Sequence, residues 1–230
     1  MKKVFLTALA VFAFGLTYAQ KSKPSIKDVS FGLKGGLNVS TLSGDIDNAD
    51  PKIGAHFGGL VEIKLTNRFA IQPEILLSLQ GAKSEYSESG PDYVYREESK
   101  LHLTYLNFPV MAKFYVIPNL ALEAGPQLGI LVGAKDDFSV YENDNGQVFA
   151  LERKQNVKGS YKTAEAAFNF GAAYYFNKNI FLEGRFSVGL SGINDGDYYY
   201  YVDGPGPGNS VRYRSKVTNN VFQLSFGYRF

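Results

Sequence analysis

Cysteine and tryptophan are absent from this 230-residue sequence, and histidine occurs only twice. Without cysteine there is no thiol nucleophile, no disulfide, no thiolate zinc site and no lipid-modified cysteine to tether the chain to a membrane. Two histidines are too few for a His-rich metal site, and no cofactor is expected. Charge of one sign is also scarce. Lys and Arg total 24 against 22 Asp and Glu, a formal net charge of +2, spread without the basic stripe that neutralises phosphates, so nucleic acid is not an expected partner. A membrane-spanning helix needs about 20 apolar residues. The longest apolar run, Val4 to Leu16, is shorter.

That run has its own meaning. Lys2 and Lys3 precede it, and Thr17-Tyr18-Ala19 gives a small-x-small ending before Gln20, the layout of an export signal cleaved after Ala19. Residues 1–19 are therefore expected to be a signal peptide and 20–230 a single domain. The composition, with 24 Gly, 16 Tyr and 18 Phe, favours strands and turns over helices.

Eight segments alternate with period two. In 31–40, Phe31, Leu33, Leu37 and Val39 oppose Lys34, Asn38 and Ser40; in 53–65, Ile53, Phe57, Val61 and Ile63 oppose His56, Glu62 and Lys64. The parity continues with Ile71, Ile75 and Leu77 against Gln72, Glu74 and Ser78, then Leu106, Phe108 and Val110 against Tyr105, Asn107 and Lys113. Leu122, Leu128 and Ile130 oppose Glu123 and Gln127. Phe168, Phe170 and Tyr174 oppose Glu165 and Asn169, Leu182, Phe186 and Val188 oppose Glu183 and Arg185, and Phe222, Leu224 and Phe226 oppose Gln223, Ser225 and Arg229. The connections alternate long and short, with polar loops after about residues 40, 80, 132 and 190 and tight turns at 66–68, 118–119 and 177–179. Outer-membrane barrels distribute extracellular loops and periplasmic turns in this way. The expected fold is all-β: an eight-stranded antiparallel up-and-down transmembrane β-barrel, with termini in the periplasm and long loops outside.

The strand charges, Lys34, Glu62, Lys64, Glu74, Lys113, Glu123, Glu165, Glu183, Arg185 and Arg229, all share the parity opposite the large apolar residues. A Lys or Arg on the lipid face at the bilayer midplane costs roughly 2–4 kcal/mol, so a membrane barrel keeps charge off that face. A soluble lipocalin-like ligand carrier would invert the picture, with the apolar parity inside, and alternation alone does not separate the two. Loop asymmetry, the charge-poor polar face and the aromatic last strand favour the membrane barrel. Its polar face would then meet in a lumen that a small barrel fills with side chains. The ten charges are expected to pair, because unpaired buried charge is costly, and to leave the lumen largely plugged.

The segments FGLKGGLNVSTLSGD at 31–45, LTYLNFPVMAKFY at 103–115 and FQLSFGYRF at 222–230 resemble the outer-membrane β-barrel domain of the porin-family, PorT-like proteins of the Bacteroidetes. The resemblance covers nearly the whole chain after the signal segment. It implies an eight-stranded barrel in contact with outer-membrane lipids. It also implies that Phe226, Tyr228 and Phe230 form the aromatic signal read by the barrel-insertion machinery. It assigns no job, since fold analogy does not transmit one.

Several residues invite chemistry. His56 lies on the polar parity and is expected to hydrogen-bond in the lumen. His102, near Glu97, Glu98 and Ser99, is where a barrel-type acyltransferase or protease would place a base, although polar loops supply Ser and acids by chance, and no catalysis is expected. Asp45, Asp47, Asn48 and Asp50 lack the spacing and terminal Glu of an EF-hand. Tyr198, Tyr199, Tyr200 and Tyr201, followed by Gly204-Pro205-Gly206-Pro207-Gly208, make a candidate binding loop for an extracellular protein or glycan. Phe69, Phe114, Phe176 and Phe181 are expected to form an interfacial girdle.

Overall fold

The structure, a computed structural model, describes residues 28–45, 49–194, 198–201, 210–213 and 216–230, with strand pairing alone for 198–201 and 210–213. The expected signal peptide, Asp47, Asn48 and the Gly204 to Gly208 stretch lie outside the described residues. The strands are β1 (Asp28–Gly44), β2 (Asp50–Lys64), β3 (Phe69–Ser89), β4 (Tyr93–Ile117), β5 (Leu120–Asp144), β6 (Gln147–Asn156), β7 (Ala164–Tyr175), β8 (Ile180–Gly189), β9 (Tyr198–Tyr201), β10 (Ser210–Tyr213) and β11 (Val217–Arg229).

Eight of them close a ring. β1 pairs β2, β2 pairs β3, β3 pairs β4 and β4 pairs β5; β5 pairs β7, β7 pairs β8, β8 pairs β11, and β11 returns to β1, every pair antiparallel. Closure leaves no sheet edge inside the barrel wall. The tight turns are held locally. Thr66 Oγ1 accepts from the backbone N–H of Arg68 and Phe69 at 3.1 and 3.0 Å, and Asn177 Oδ1 accepts from those of Asn179 and Ile180 at 2.8 Å.

The orientation of the alternation is unambiguous. Phe31, Ile53, Phe57 and Phe226 are 61, 73, 62 and 58 % exposed, whereas Lys34, Glu62, Lys113, Glu183 and Arg185 are at most 1 % exposed. The polar parity faces the lumen and the apolar parity faces out. This overturns the soluble-carrier alternative, whose apolar residues would be inside.

Two segments read from sequence as long polar loops are strands. β3, β4 and β5 run 21, 25 and 25 residues, far beyond the roughly 9–11 needed to cross a bilayer. Their outer parts pair from Ala82↔Leu101 to Ser89↔Val94 and from His102↔Lys135 to Tyr93↔Asp144, and β6 adds to β5 from Asp144↔Gln147 to Lys135↔Asn156. A four-stranded sheet thus stands above the barrel. An isolated hairpin is marginal in water, but these strands extend ladders already started in the wall. The missed signal was Asn145-Gly146, whose φ of 49° and 85° form the mirror-image turn that Asn-Gly favours. The tyrosine segment is also stranded, β9 pairing β10 from Ser210↔Tyr201 to Tyr213↔Tyr198.

Candidate functional site

Two regions concentrate chemistry: the lumen and the sheet above it. The lumen is layered. At the short-turn end Leu60, Ala70, Tyr115, Ala121, Ala173, Tyr175 and Phe181 form a buried cluster. Phe181 was expected in the outer girdle, but it points inward and is 1 % exposed. It lies over Gly227, where a Cβ would come within 2.1 Å of the ring, so only glycine admits it. Phe69, Phe114 and Phe176 do face outward, Phe69 and Phe114 with ring centroids 5.0 Å apart.

Above this cluster sits the ion network. Glu62 accepts from Arg229 Nη1 at 2.5 Å, Tyr115 Oη at 2.8 Å and Tyr175 Oη at 3.0 Å. Lys113 Nζ donates to Tyr175 Oη at 3.0 Å and lies 3.3 Å from Glu123. Arg185 holds Glu74 through both terminal nitrogens at 2.9 and 2.8 Å and Glu123 through Nε at 2.9 Å. Lys34 bridges Glu74 and Glu183 at 2.9 and 2.6 Å. These pairs are removed from water, so geometry has to offset their desolvation; the forked Arg185 contact supplies it.

Higher still the lining is mostly neutral and polar, with Lys52 and Glu165 its buried ionisable side chains. His56 bridges Asn38 Oδ1 and Ser225 Oγ at 2.7 and 2.8 Å, as its parity implied, and Asn169 donates to Gln127 at 3.2 Å. Leu42, Ala82, Leu103, Tyr105, Leu131, Ala134, Ile193 and Val217 close the far end as a second buried cluster.

Eight of the ten expected lumen charges join this network. Lys64 does not: it is half-buried at the rim, its ammonium 5.6 Å from the Tyr115 ring centroid, because it lies at the last position of β2. Glu165 is buried, but no cation among the described residues pairs with it, so the expectation that every charge pairs fails there. Lys52 was missed. It shares the parity of His56 and Glu62, is 7 % exposed and donates to the Gln80 carbonyl at 3.1 Å; beginning the strand at Ile53 hid it.

On the outer sheet, Ser99 and His102 occupy opposite faces of β4, since their separation is odd. Ser99 Oγ donates to Asp136 at 2.9 Å, and His102 Nε2 lies 3.7 Å from Asp137. Burial, and then the charge of Lys52, push the His102 imidazole below its ordinary value. Glu98 pairs with Lys100. The sequence's candidate serine, acids and histidine therefore form no relay. Phe226, Tyr228 and Phe230 all face outward, and the Phe230 N–H donates to the Phe31 carbonyl at 2.8 Å.

Residues 18–195 match the family described as outer membrane protein beta-barrel domain. Among solved structures, Ail, the attachment invasion locus protein of Yersinia pestis, crystallised with the heparin analogue sucrose octasulfate, is similar at 13% identity. That match covers 88% of this chain and 99% of Ail with a TM-score of 0.39. Neisserial surface protein A is similar at 11% identity, over 88% and 97% of the two chains, with a TM-score of 0.41. OprG from Pseudomonas aeruginosa is similar at 12% identity, over 87% and 95%, with a TM-score of 0.36. No curated protein sequence matches the chain at a significant level.

Proposed function

The chain belongs to the outer membrane protein beta-barrel domain family, and from that premise we propose that it is a non-catalytic surface-binding barrel that captures an extended segment of an extracellular protein. The observation that carries this reading is the free edge of β6. No described strand pairs with its outer side, and Val148, Phe149 and Leu151 along it are 60, 55 and 44 % exposed. Long exposed edges of this kind are normally blunted because they recruit another strand, and strand addition is an established mode of peptide capture.

Counting from the closing pair Asp144↔Gln147, the antiparallel alternation turns the backbone N–H groups of residues 148, 150, 152 and 154 to the free side. Ala150→Pro therefore removes an outward donor without breaking the β5–β6 ladder. We expect this variant to fold, seen as an unchanged heat-modifiable gel shift, and to lose the proteins that the lipid-embedded wild type retains from the surface of neighbouring cells. Retention by Ala150→Pro but loss on deletion of 197–209 would move the site to the tyrosine segment.

The ion network supports the companion reading that the lumen is plugged. Purified protein in planar bilayers is expected to show no steady channels; large reproducible ones would refute a plug. The exposed Phe226, Tyr228 and Phe230 fit the aromatic insertion signal, the three quoted segments support placement in the PorT-like group, and residues 1–19 carry the features of an export signal.

A further inference from the structure

The outward face of β3 to β5 changes character abruptly with height. From the girdle upward, ten residues carry the lipid-facing parity from Phe69 to Leu79 on β3, from Phe114 to Thr104 on β4 and from Leu122 to Val132 on β5. At about 3.3 Å per residue and a strand tilt near 40° this spans roughly 25 Å, the height of a barrel's apolar band. Leu79 and Val132, at its upper edge, are both 46 % exposed. Directly above them the outward side chains become basic.

Two cross-strand rows stand there. Gly81, His102, Lys135 and Asn156 are paired in the first, and Lys83, Lys100, Asp137 and Lys154 in the second; side chains paired in this way share a face. Lys158 reaches the same height, its ammonium donating to the Val132 carbonyl at 3.2 Å. The acids in these rows are Asp137, 3.7 Å from His102 and 3.8 Å from Lys154, and Asp50, which pairs with Lys83 at the β2 end. Lys135 is exposed and makes no ion pair among the described residues. One row farther out the sign reverses, with Glu85, Glu98 and Glu152 aligned through Ser139. A cleft of about 470 Å³ opens at the basic rows, lined by His102, Lys135, Asp137, Lys154, Gln155 and Asn156.

We propose that this cleft, with Lys83 and Lys100 beside it, binds the phosphate of a lipid headgroup in the outer leaflet. The order apolar, basic, acidic is what such a ligand demands. Its acyl chains lie against Leu79 and Val132, ammonium groups meet the phosphate plane, and carboxylates stand farther out, away from its repulsion. A face turned only to water has no reason to sort its charges by height, because exposed ion pairs gain little wherever they sit. Each Lys close to an anionic membrane surface adds to the attraction, and the Gln155 and Asn156 amides offer further donors to phosphate oxygens. Since the cations come from β3, β4, β5 and β6, a bound headgroup fastens the extracellular sheet to the membrane. The site uses side chains on one face, and is separate from the backbone edge of β6.

The test uses the full barrel purified in an uncharged detergent, with bound lipid counted by native mass spectrometry. Lipid A, a phosphorylated glycolipid, is titrated beside the same glycolipid with its phosphates removed, and beside inorganic phosphate. Wild type should bind the phosphorylated form at least about tenfold more tightly than the dephosphorylated one. Lys100→Gln, Lys135→Gln and Lys154→Gln combined should erase that preference while keeping the heat-modifiable gel shift of a folded barrel. Removing as many charges at the short-turn rim, with Lys64→Gln, Arg68→Gln and Lys178→Gln, should leave the preference intact. Equal binding of both glycolipids by the wild type, or an equal loss from the two triple variants, overturns the proposal. So does retention of inorganic phosphate as tightly as of the phosphorylated lipid, which would make the ligand a soluble anion.

Discussion

Arg185→Met is expected to cost the barrel about 3–5 kcal/mol, the penalty of leaving buried charge without its partner. Arg185 contacts Glu74, Glu123 and Glu183, and its removal leaves three carboxylates facing Lys34 and Lys113 alone. Methionine roughly preserves the length of the stem but none of the forked hydrogen bonds. Urea titration of the protein folded into lipid vesicles should show the midpoint falling by a large fraction of its wild-type value. Adding Glu74→Gln restores two cations against two carboxylates and should recover part of the loss, a coupling that a double-mutant cycle isolates. A double variant as unstable as the single would show that side-chain shape, and not charge balance, is what the network supplies.

The second large effect lies on the opposite face of the same wall. Leu224→Arg should cost about 2–4 kcal/mol in vesicles if its position is near the bilayer midplane. Leu224 is 45 % exposed and flanked by the buried Gln223 and Ser225. In detergent micelles, which deform around a charge more readily, the cost should shrink. The contrast is diagnostic: on a water-facing surface an arginine at this position would cost less than about 0.5 kcal/mol. An unchanged vesicle midpoint would place that face in water.

Both expectations rest on the direction of the alternation, which separates what sequence could reveal from what it could not. The period-two pattern, the three tight turns and the confinement of charge to one parity were all legible, because a strand alternates its side chains across the sheet whatever surrounds it. Eight strands and their order followed. The extracellular sheet was not legible as strands, because its outer segments mix Lys, Glu, Ser and Tyr on both faces and show no apolar parity; pairing there is inherited from the ladders below. Only Asn145-Gly146 marked it locally. Phe181 and Lys64 were misplaced for another reason. They sit at strand ends, where one residue of offset decides between the wall, the rim and the lumen.

By itself, then, the sequence determined an all-β chain of eight alternating strands with charge on one face only. It did not determine which face was inside, because a soluble barrel and a membrane barrel obey the same alternation with opposite solvents. Closure of β11 onto β1 with the polar parity curled inward decided that. It turned Lys34, Glu74, Glu123, Glu183 and Arg185, dispersed over 152 positions of chain from 34 to 185, into one buried cluster. It also placed Glu165 where no cationic side chain among the described residues pairs with it. Which charges meet depends on the register around the ring, a property of all eight ladders together that no single segment encodes.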